Sequence, residues 1–314
     1  MKRILAAVAM SLTLLVMARA DNRAGAPQAA RIVPPSSAAT QPSEYSGLHN
    51  VVTYADGLYS GSLPEGREGF ATLAGMGIKT IISVDGATPD VELAKQFGLR
   101  YVHLPVGYDG IGQQRSLEIA RAVQDLPGPI YIHCHHGQHR SAAAAAVASV
   151  TLGKLTIEDA LAHMQISGTA PTYTGLFACV RAASFASPEM LASASNVFPE
   201  KSRIGDFAQV MTHVDETMEN LKLIEKAGWS TPKDHPDLVP AAEAARLVDF
   251  FRNAPQPKEK DRTSEFAAWV SAQASNVSEV EQTLLKGGAS AQQVSDKLKV
   301  VSQACVQCHA KYRD

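Results

Sequence analysis

A cysteine, an arginine and a serine stand close together in the middle of the chain, directly after a short run of β-forming residues. Cys134 follows residues 130–132, and five residues separate it from Arg140, which is followed by Ser141 and a run of alanines. This order predicts a strand, a tight loop and a helix, with the thiol at the N-terminus of the helix. A helix N-terminus presents unpaired N–H groups and the positive end of the helix dipole, so it binds anions and stabilises a thiolate. The residues therefore predict nucleophilic attack on phosphorus by a thiolate.

The other residues of this loop have predicted roles in the same chemistry. The guanidinium of Arg140 can hold two phosphate oxygens at once, and Ser141 can donate a hydrogen bond to the sulfur as it leaves a phospho-cysteine. Gly137 permits a tight turn with a positive φ. We expect the three loop histidines to add positive charge around a phosphate at mildly acid pH. The predicted phosphate-binding loop consists of His135, His136, Gly137, Gln138, His139 and Arg140.

The sequence His133-Cys134-x5-Arg140-Ser141 resembles the signature loop of the protein tyrosine and dual-specificity phosphatases, and the resemblance covers roughly residues 46–187. It implies that Cys134 is the nucleophile, that Arg140 binds phosphate, and that an upstream aspartate protonates the leaving oxygen. Asp109, in a glycine-flanked loop after a predicted strand, is our predicted acid, and Asp85 is the alternative. The implied substrate is a phosphorylated compound of undetermined class, and no metal is expected in this domain.

Two other interpretations of the loop stay open at this point. A rhodanese-like or arsenate-reductase-like thiol loop also places a thiolate at a helix N-terminus. A metal-binding cluster of histidines that merely contains a cysteine is the second interpretation, although metal ligands need a defined geometry. A disulfide between Cys134 and Cys179 is a further alternative that sequence does not decide.

A second cysteine motif ends the chain. Cys305-x-x-Cys308-His309 is typical of c-type haem attachment, in which the thiols form thioethers and the histidine binds the iron. Four amphipathic helices are predicted before and through it, at about 204–227, 238–253, 263–285 and 289–312. The segment resembles the cytochrome c′ and c-556 family, which implies covalent haem c. Met211 is the candidate distal ligand, and a haem-free redox pair or disulfide of Cys305 and Cys308 is the alternative.

The N-terminus predicts export. Residues 1–20 combine a basic start, an apolar run too short to span a membrane and a cleavage motif ending at Ala20, as in a secretory signal peptide. We therefore expect a periplasmic or secreted protein without a transmembrane anchor after cleavage. Cleavage leaves 26 basic and 31 acidic residues, a net charge of −5. That charge argues against nucleic acid as a partner.

The remaining patterns give a domain plan. Residues 21–45 are predicted to be a flexible linker, 46–187 an α/β domain with a mostly parallel sheet flanked by helices, 188–203 a second linker, and 204–314 an all-α four-helix bundle. Strands are predicted at 51–54, 58–61, 80–84, 101–106 and 130–133. The plan predicts a periplasmic cysteine-dependent phosphatase fused to a haem domain that exchanges electrons with a redox partner or senses a diatomic gas. The alternative is an electron-transfer or sensor haem protein whose phosphate-binding domain is catalytically inactive.

Overall fold

A six-stranded sheet forms the centre of the first half of the chain. The computed structural model describes residues 31–202, 207–254 and 264–312. The strands run in the order β1-β2-β3-β6-β4-β5. The pairings of β3 with β6, β6 with β4 and β4 with β5 are parallel, whereas β1, β2 and β3 pair antiparallel. The strands are β1 Ser43–Tyr45, β2 Leu48–Ala55, β3 Leu58–Gly61, β4 Thr80–Ser83, β5 Arg100–His103 and β6 Ile130–His133.

Both faces of this sheet are covered by helices, and the alternation along β6 shows why. Ile130 and Ile132 pack in the core on one face, while Tyr131 packs in the core on the other. All twelve residues of α4 are buried, and its five consecutive alanines let the helix lie close to β3 and β6. The helices are α1 Gly66–Gly75, α2 Val91–Gln96, α3 Gln113–Asp125, α4 Arg140–Thr151, α5 Ile157–Ile166, α6 Thr174–Arg181 and α7 Pro188–Ser193.

Three details differ from the sequence predictions. The sheet is mixed: three of its five pairings are parallel, but β1, β2 and β3 form an antiparallel edge that the prediction did not include, because short turns join them. The segment predicted to be a flexible linker contains β1, and its Ile32 packs against the core. The second predicted linker contains α7, whose Leu191 is buried. The predicted signal peptide and cleavage site lie outside the described residues.

The second half of the chain is helical, as predicted. Its helices are α8 Phe207–Lys226, α9 Pro240–Asn253, α10 Ser264–Lys286 and α11 Ala291–Tyr312. They enclose one apolar core, to which each contributes, for example through Leu221, Leu247, Val277 and Leu298. Proline at the first position of α9 and glycines with positive φ after α8 and α10 set the ends. No described helix is long and apolar enough to cross a bilayer.

The two halves pack against each other. Ala241, Ala242 and Ala245 of α9 belong to the core of the α/β half. Small side chains on this face allow α9 to approach the sheet domain closely. The division into domains at residues 187 and 204 stays a prediction, because one core spans the boundary.

Candidate active site

Cys134 lies where β6 ends and the loop before α4 begins. The strand is central in the sheet, between β3 and β4, so the thiol lies at the carboxyl edge of parallel strands, where open α/β sheets place their sites. Its side chain is only 2% exposed. The Sγ atom lies 3.3 Å from Oγ of Ser141, which in turn donates to the carbonyl of Gly61 at 3.4 Å. The predicted nucleophile and the predicted hydroxyl are therefore in direct contact.

Three carbonyl groups of the loop that follows Cys134 accept hydrogen bonds from residues outside the loop. Leu63 N donates to the carbonyl of His135 at 3.1 Å. The side chain of Asn50 donates to the carbonyl of Gly137 at 3.0 Å, and Thr169 Oγ1 donates to that of Gln138 at 2.5 Å. Among the described residues, the N–H groups of 135–139 have no acceptor. Successive unpaired N–H groups before a helix form a concave site for an anion.

Gly137 is required by this turn. Its φ is +76°, in the left-handed region that side chains rarely adopt. A Cβ at this position would also collide with the backbone of Gly61 and Ser62. The predicted role of this glycine therefore agrees with the local geometry.

Arg140, the predicted phosphate ligand, is buried and already holds two carboxylates. Its guanidinium donates to Asp249 of α9 at 2.5 and 3.3 Å and to Asp85 at 3.2 Å. The ring of Tyr108 lies over the guanidinium, with its centroid 4.2 Å from Cζ of Arg140. Arg140 Nε has no hydrogen-bond partner among the described residues. The arginine that the sequence predicts to bind phosphate is therefore already paired with carboxylates of the protein itself.

The two candidate acids differ sharply in their surroundings. Asp85 is buried, and burial raises its pKa, but Arg252 and Arg140 outweigh this and hold the pKa well below its usual range. An aspartate that stays ionised has no proton to donate, so the lowered pKa of Asp85 argues against it as the acid. Asp109 is 77% exposed on the loop after β5, with Oδ1 3.6 Å from Arg246. It directly follows Tyr108, which places its loop beside the guanidinium of Arg140.

The expectation that the loop histidines carry positive charge at mildly acid pH is wrong. Burial, together with the charge of nearby arginines, lowers the pKa of His135 to about 3, that of His136 to about 4 and that of His139 to about 3. These rings are therefore neutral at mildly acid pH in this structure. Nor do they form a metal cluster, because the described part of the chain holds no group of three or more His, Cys, Asp or Glu residues suited to one ion.

The predicted haem residues line one cavity in the helical half. A cavity of about 910 Å³ lies between α8, α9, α10 and α11. Cys305, Cys308 and His309 border it together with Met211 and Trp269, and most of its lining is apolar. A mostly apolar cavity of this volume is typical of sites that bind small molecules or cofactors. Cys134, Cys179 and Cys305 are free thiols, so neither the alternative disulfide of Cys305 with Cys308 nor one between Cys134 and Cys179 is formed.

Several residues of the site carry no motif in the sequence. Asn50 and Thr169 are far from the loop along the chain. Asn50 has a left-handed backbone (φ +57°), and its side chain donates to the carbonyls of Gly137 and Ser167. Asp249 has one local signal, since it is an acid between apolar neighbours in Leu247-Val248-Asp249-Phe250-Phe251. A charge in an otherwise apolar stretch indicates a buried partner.

Comparison with known proteins relates part of the chain to phosphatases. Over 121 residues the chain is 28% identical to the dual specificity protein phosphatase TpbA of Pseudomonas aeruginosa (strain UCBPP-PA14). The match covers 38% of this chain and 55% of that protein, so the chain spans about half the length of the curated relative it matches. No family model matches the chain.

The solved structures that are similar over about half of the chain include the following two. One is P. aeruginosa TpbA, with 26% identity and a TM-score of 0.39, covering 50% of this chain and 92% of that chain. The other is the core catalytic domain of the S. cerevisiae PP-IP phosphatase SIW14, with 16% identity and a TM-score of 0.39, covering 49% and 89%. On the sequence match, a segment of this chain is related to a dual specificity protein phosphatase.

Proposed function

We propose that the α/β half hydrolyses phosphate monoesters through a phospho-cysteine. The observation that carries the proposal is the loop itself. Its carbonyl groups accept hydrogen bonds from neighbouring residues, whereas its N–H groups are unpaired among the described residues and lie in the same loop as Cys134, which contacts Ser141. These N–H groups and Arg140 would hold the three non-bridging oxygens of the phosphate. The related dual specificity protein phosphatase supports a protein phosphomonoester as the substrate class.

The reaction would proceed in two steps. The thiolate of Cys134 attacks phosphorus, the bond to the ester oxygen breaks, and Asp109 donates its proton to the leaving alcohol. A water molecule then attacks the phospho-cysteine while Asp109 accepts one of its protons. The hydroxyl of Ser141 donates to the departing sulfur, which leaves as a thiolate beside phosphate. Asp109 suits both steps because its loop is exposed to substrate and water.

Hydrolysis of an aryl phosphate by the purified full chain tests this proposal. We expect turnover by the wild type, none by Cys134→Ser, and normal turnover by Cys179→Ser, which removes a thiol outside the loop. Asp109→Asn should lose activity by at least about 100-fold on a substrate with a poor leaving group and much less on a good one. Equal activity of Cys134→Ser and the wild type would refute a phospho-cysteine, and leaving-group independence in Asp109→Asn would refute the assigned acid.

We further propose that the helical half carries covalent haem c. Support comes from the common cavity, since Cys305 and Cys308 would form the thioethers, His309 would bind the iron, and Met211 is the candidate for a second iron ligand. When bound, the haem supplies a redox-active iron that suits electron transfer or binding of a diatomic gas. A pyridine haemochrome spectrum after expression with the c-type maturation system tests the attachment. We expect a thioether-type spectrum from the wild type that is lost in Cys305→Ser/Cys308→Ser, and no such spectrum from the wild type would contradict the proposal.

We propose that the protein is exported to the periplasm or beyond. Thioether attachment and the predicted signal at residues 1–20 both call for passage across the inner membrane. Fractionation followed by N-terminal sequencing tests it. We expect a mature chain that begins at Asp21, and an intact Met1 in the cytoplasmic fraction alone would contradict export.

A further inference from the structure

The C-terminal end of α9 lies on the phosphate-binding loop. The carboxylate of Asp249 accepts from both terminal nitrogens of Arg140, at 2.5 and 3.3 Å, with one oxygen on each. This paired geometry is how arginine binds a carboxylate or two oxygens of a phosphate. Asp249 therefore uses the donors that a substrate phosphate would need.

Neighbouring residues of the same helix fix this position. Arg252 donates to Asp85, the second carboxylate that Arg140 holds, at 3.0 Å. Asn253 accepts from the backbone N–H of Thr88 at 2.8 Å and donates to the carbonyl of Gly86. Residues 249, 252 and 253 lie on one face of α9 because they are three and four positions apart. The contact is therefore built from specific polar pairs and is more than incidental packing.

A glycine makes room for the carboxylate. A Cβ at Gly86 would lie about 3.0 Å from Oδ2 of Asp249, tighter than nearly all real contacts, so a larger residue would push α9 away from Arg140. From α10, the buried carboxyl group of Glu281 also faces the loop, 3.8 Å from Nδ1 of His136. A phosphate dianion entering beside these two carboxyl groups would meet like charge.

We propose that α9 is an autoinhibitory element, in which the carboxylate of Asp249 occupies the phosphate site at Arg140. The proposal rests on the phosphatase function proposed above and adds its regulation. Substrate binds only after α9 moves from the loop. The apparent affinity for phosphate is therefore the affinity of the open site multiplied by the fraction of molecules in which the site is open.

Binding of inorganic orthophosphate to the full chain at pH 8, measured by calorimetry, tests the proposal directly. We expect Asp249→Asn to bind orthophosphate at least about tenfold more tightly than the wild type, because a site that is open in a tenth of molecules or fewer loses at least that factor. Asn253→Ala, which weakens docking without touching Arg140, should shift the affinity in the same direction. Asp296→Asn, an exposed carboxylate of α11, is the matched control and should leave the affinity unchanged.

Activity on an aryl phosphate, measured in parallel, separates the two proposals. Wild-type or weaker orthophosphate binding by both Asp249→Asn and Asn253→Ala, with circular dichroism spectra unchanged, would overturn autoinhibition while leaving hydrolysis standing. Tighter binding by both variants with no turnover in any protein would support occupancy of the phosphate site and overturn the hydrolase. No orthophosphate binding by any variant would overturn the proposal of a phosphate site altogether.

Discussion

Glu281 offers a test of the interface that does not depend on catalysis. Its side chain, on α10, is 1% exposed, and neither carboxyl oxygen has a hydrogen-bond partner among the described residues. Burial raises its pKa from 4.5 to about 7. One pKa unit corresponds to about 1.4 kcal/mol, so ionisation of this group costs the folded state about 3 kcal/mol when it is complete.

The direction of the pH dependence follows from the raised pKa. Below about pH 4.5 the group is protonated in both the folded and the unfolded chain, and its ionisation contributes no penalty. As the pH rises, the unfolded chain ionises first, and the penalty is nearly complete above about pH 7. Glu281→Gln keeps the shape and removes the ionisation. It should therefore raise the free energy of unfolding by about 2–3 kcal/mol at pH 8 and by less than about 1 kcal/mol at pH 5.

Urea denaturation at the two pH values measures this difference. Trp229 and Trp269 are the two tryptophans of the chain, and their fluorescence reports on the helical half that contains Glu281. Glu279→Gln is the matched control, because Glu279 is on the same helix but exposed, with a surface ion pair to Lys297 at 2.7 Å. Its effect should stay within about 1 kcal/mol at either pH. Equal effects of Glu281→Gln at pH 5 and pH 8, or destabilisation at pH 8, would refute the account of an unpaired buried acid.

Three further predictions concern the loop and its titration. Asn50→Gly, which keeps the left-handed backbone but removes two hydrogen bonds, should lower the free energy of unfolding by about 2 kcal/mol and weaken orthophosphate binding; unchanged values for both would contradict its role. Gly137→Ala should abolish aryl phosphate turnover and destabilise the protein by more than about 2 kcal/mol in urea, and an active variant would refute the requirement for glycine. Between about pH 4 and 5.5 the unfolded chain should bind about two more protons than the folded chain, because the four histidines of 133–139 have pKa values of about 3 to 4, and the raised pKa values of Asp249 and Glu281 offset about half of this difference. Stability should therefore rise with pH over that range by about 2–3 kcal/mol per unit, and a flat or falling thermal-denaturation profile would refute the burial of these rings.

The parts of the fold that depend on local pattern were predictable from the sequence. The four C-terminal helices begin and end within a few residues of their predicted limits, because glycine and proline mark their ends. The loop from Cys134 to Ser141 was predictable for a similar reason. Strand, glycine and alanine-rich helix follow one another without a gap, and their order alone places the thiol at a helix N-terminus.

The parts that depend on distant pairing were not predictable. The pair of Arg140 and Asp249 joins residues 109 positions apart, and no spacing rule connects them. The histidines were assigned a charge from their residue type, but their titration is set by burial against residues that are distant in the sequence. Glu281 of α10 lies beside His136, and the ring of Tyr173 packs on His139, which the local sequence does not reveal. The contact between α9 and the loop also explains why Asp85, the alternative acid, stays ionised. One of the two arginines that hold it, Arg252, belongs to α9.

One helix connects the two candidate sites. Asp249 lies on Arg140, whereas Phe251, two positions later and so on the opposite side of α9, lines the cavity bordered by Cys305 and His309. A ligand in that cavity can change the occupancy of Arg140 only if it binds the docked and undocked positions of α9 with different affinities. Phosphate would then change the affinity of the cavity ligand by the same factor. The affinity for orthophosphate, measured with and without a ligand bound in the cavity, therefore decides whether the shared helix couples the two sites. Equal affinities in the two states would mean that it does not.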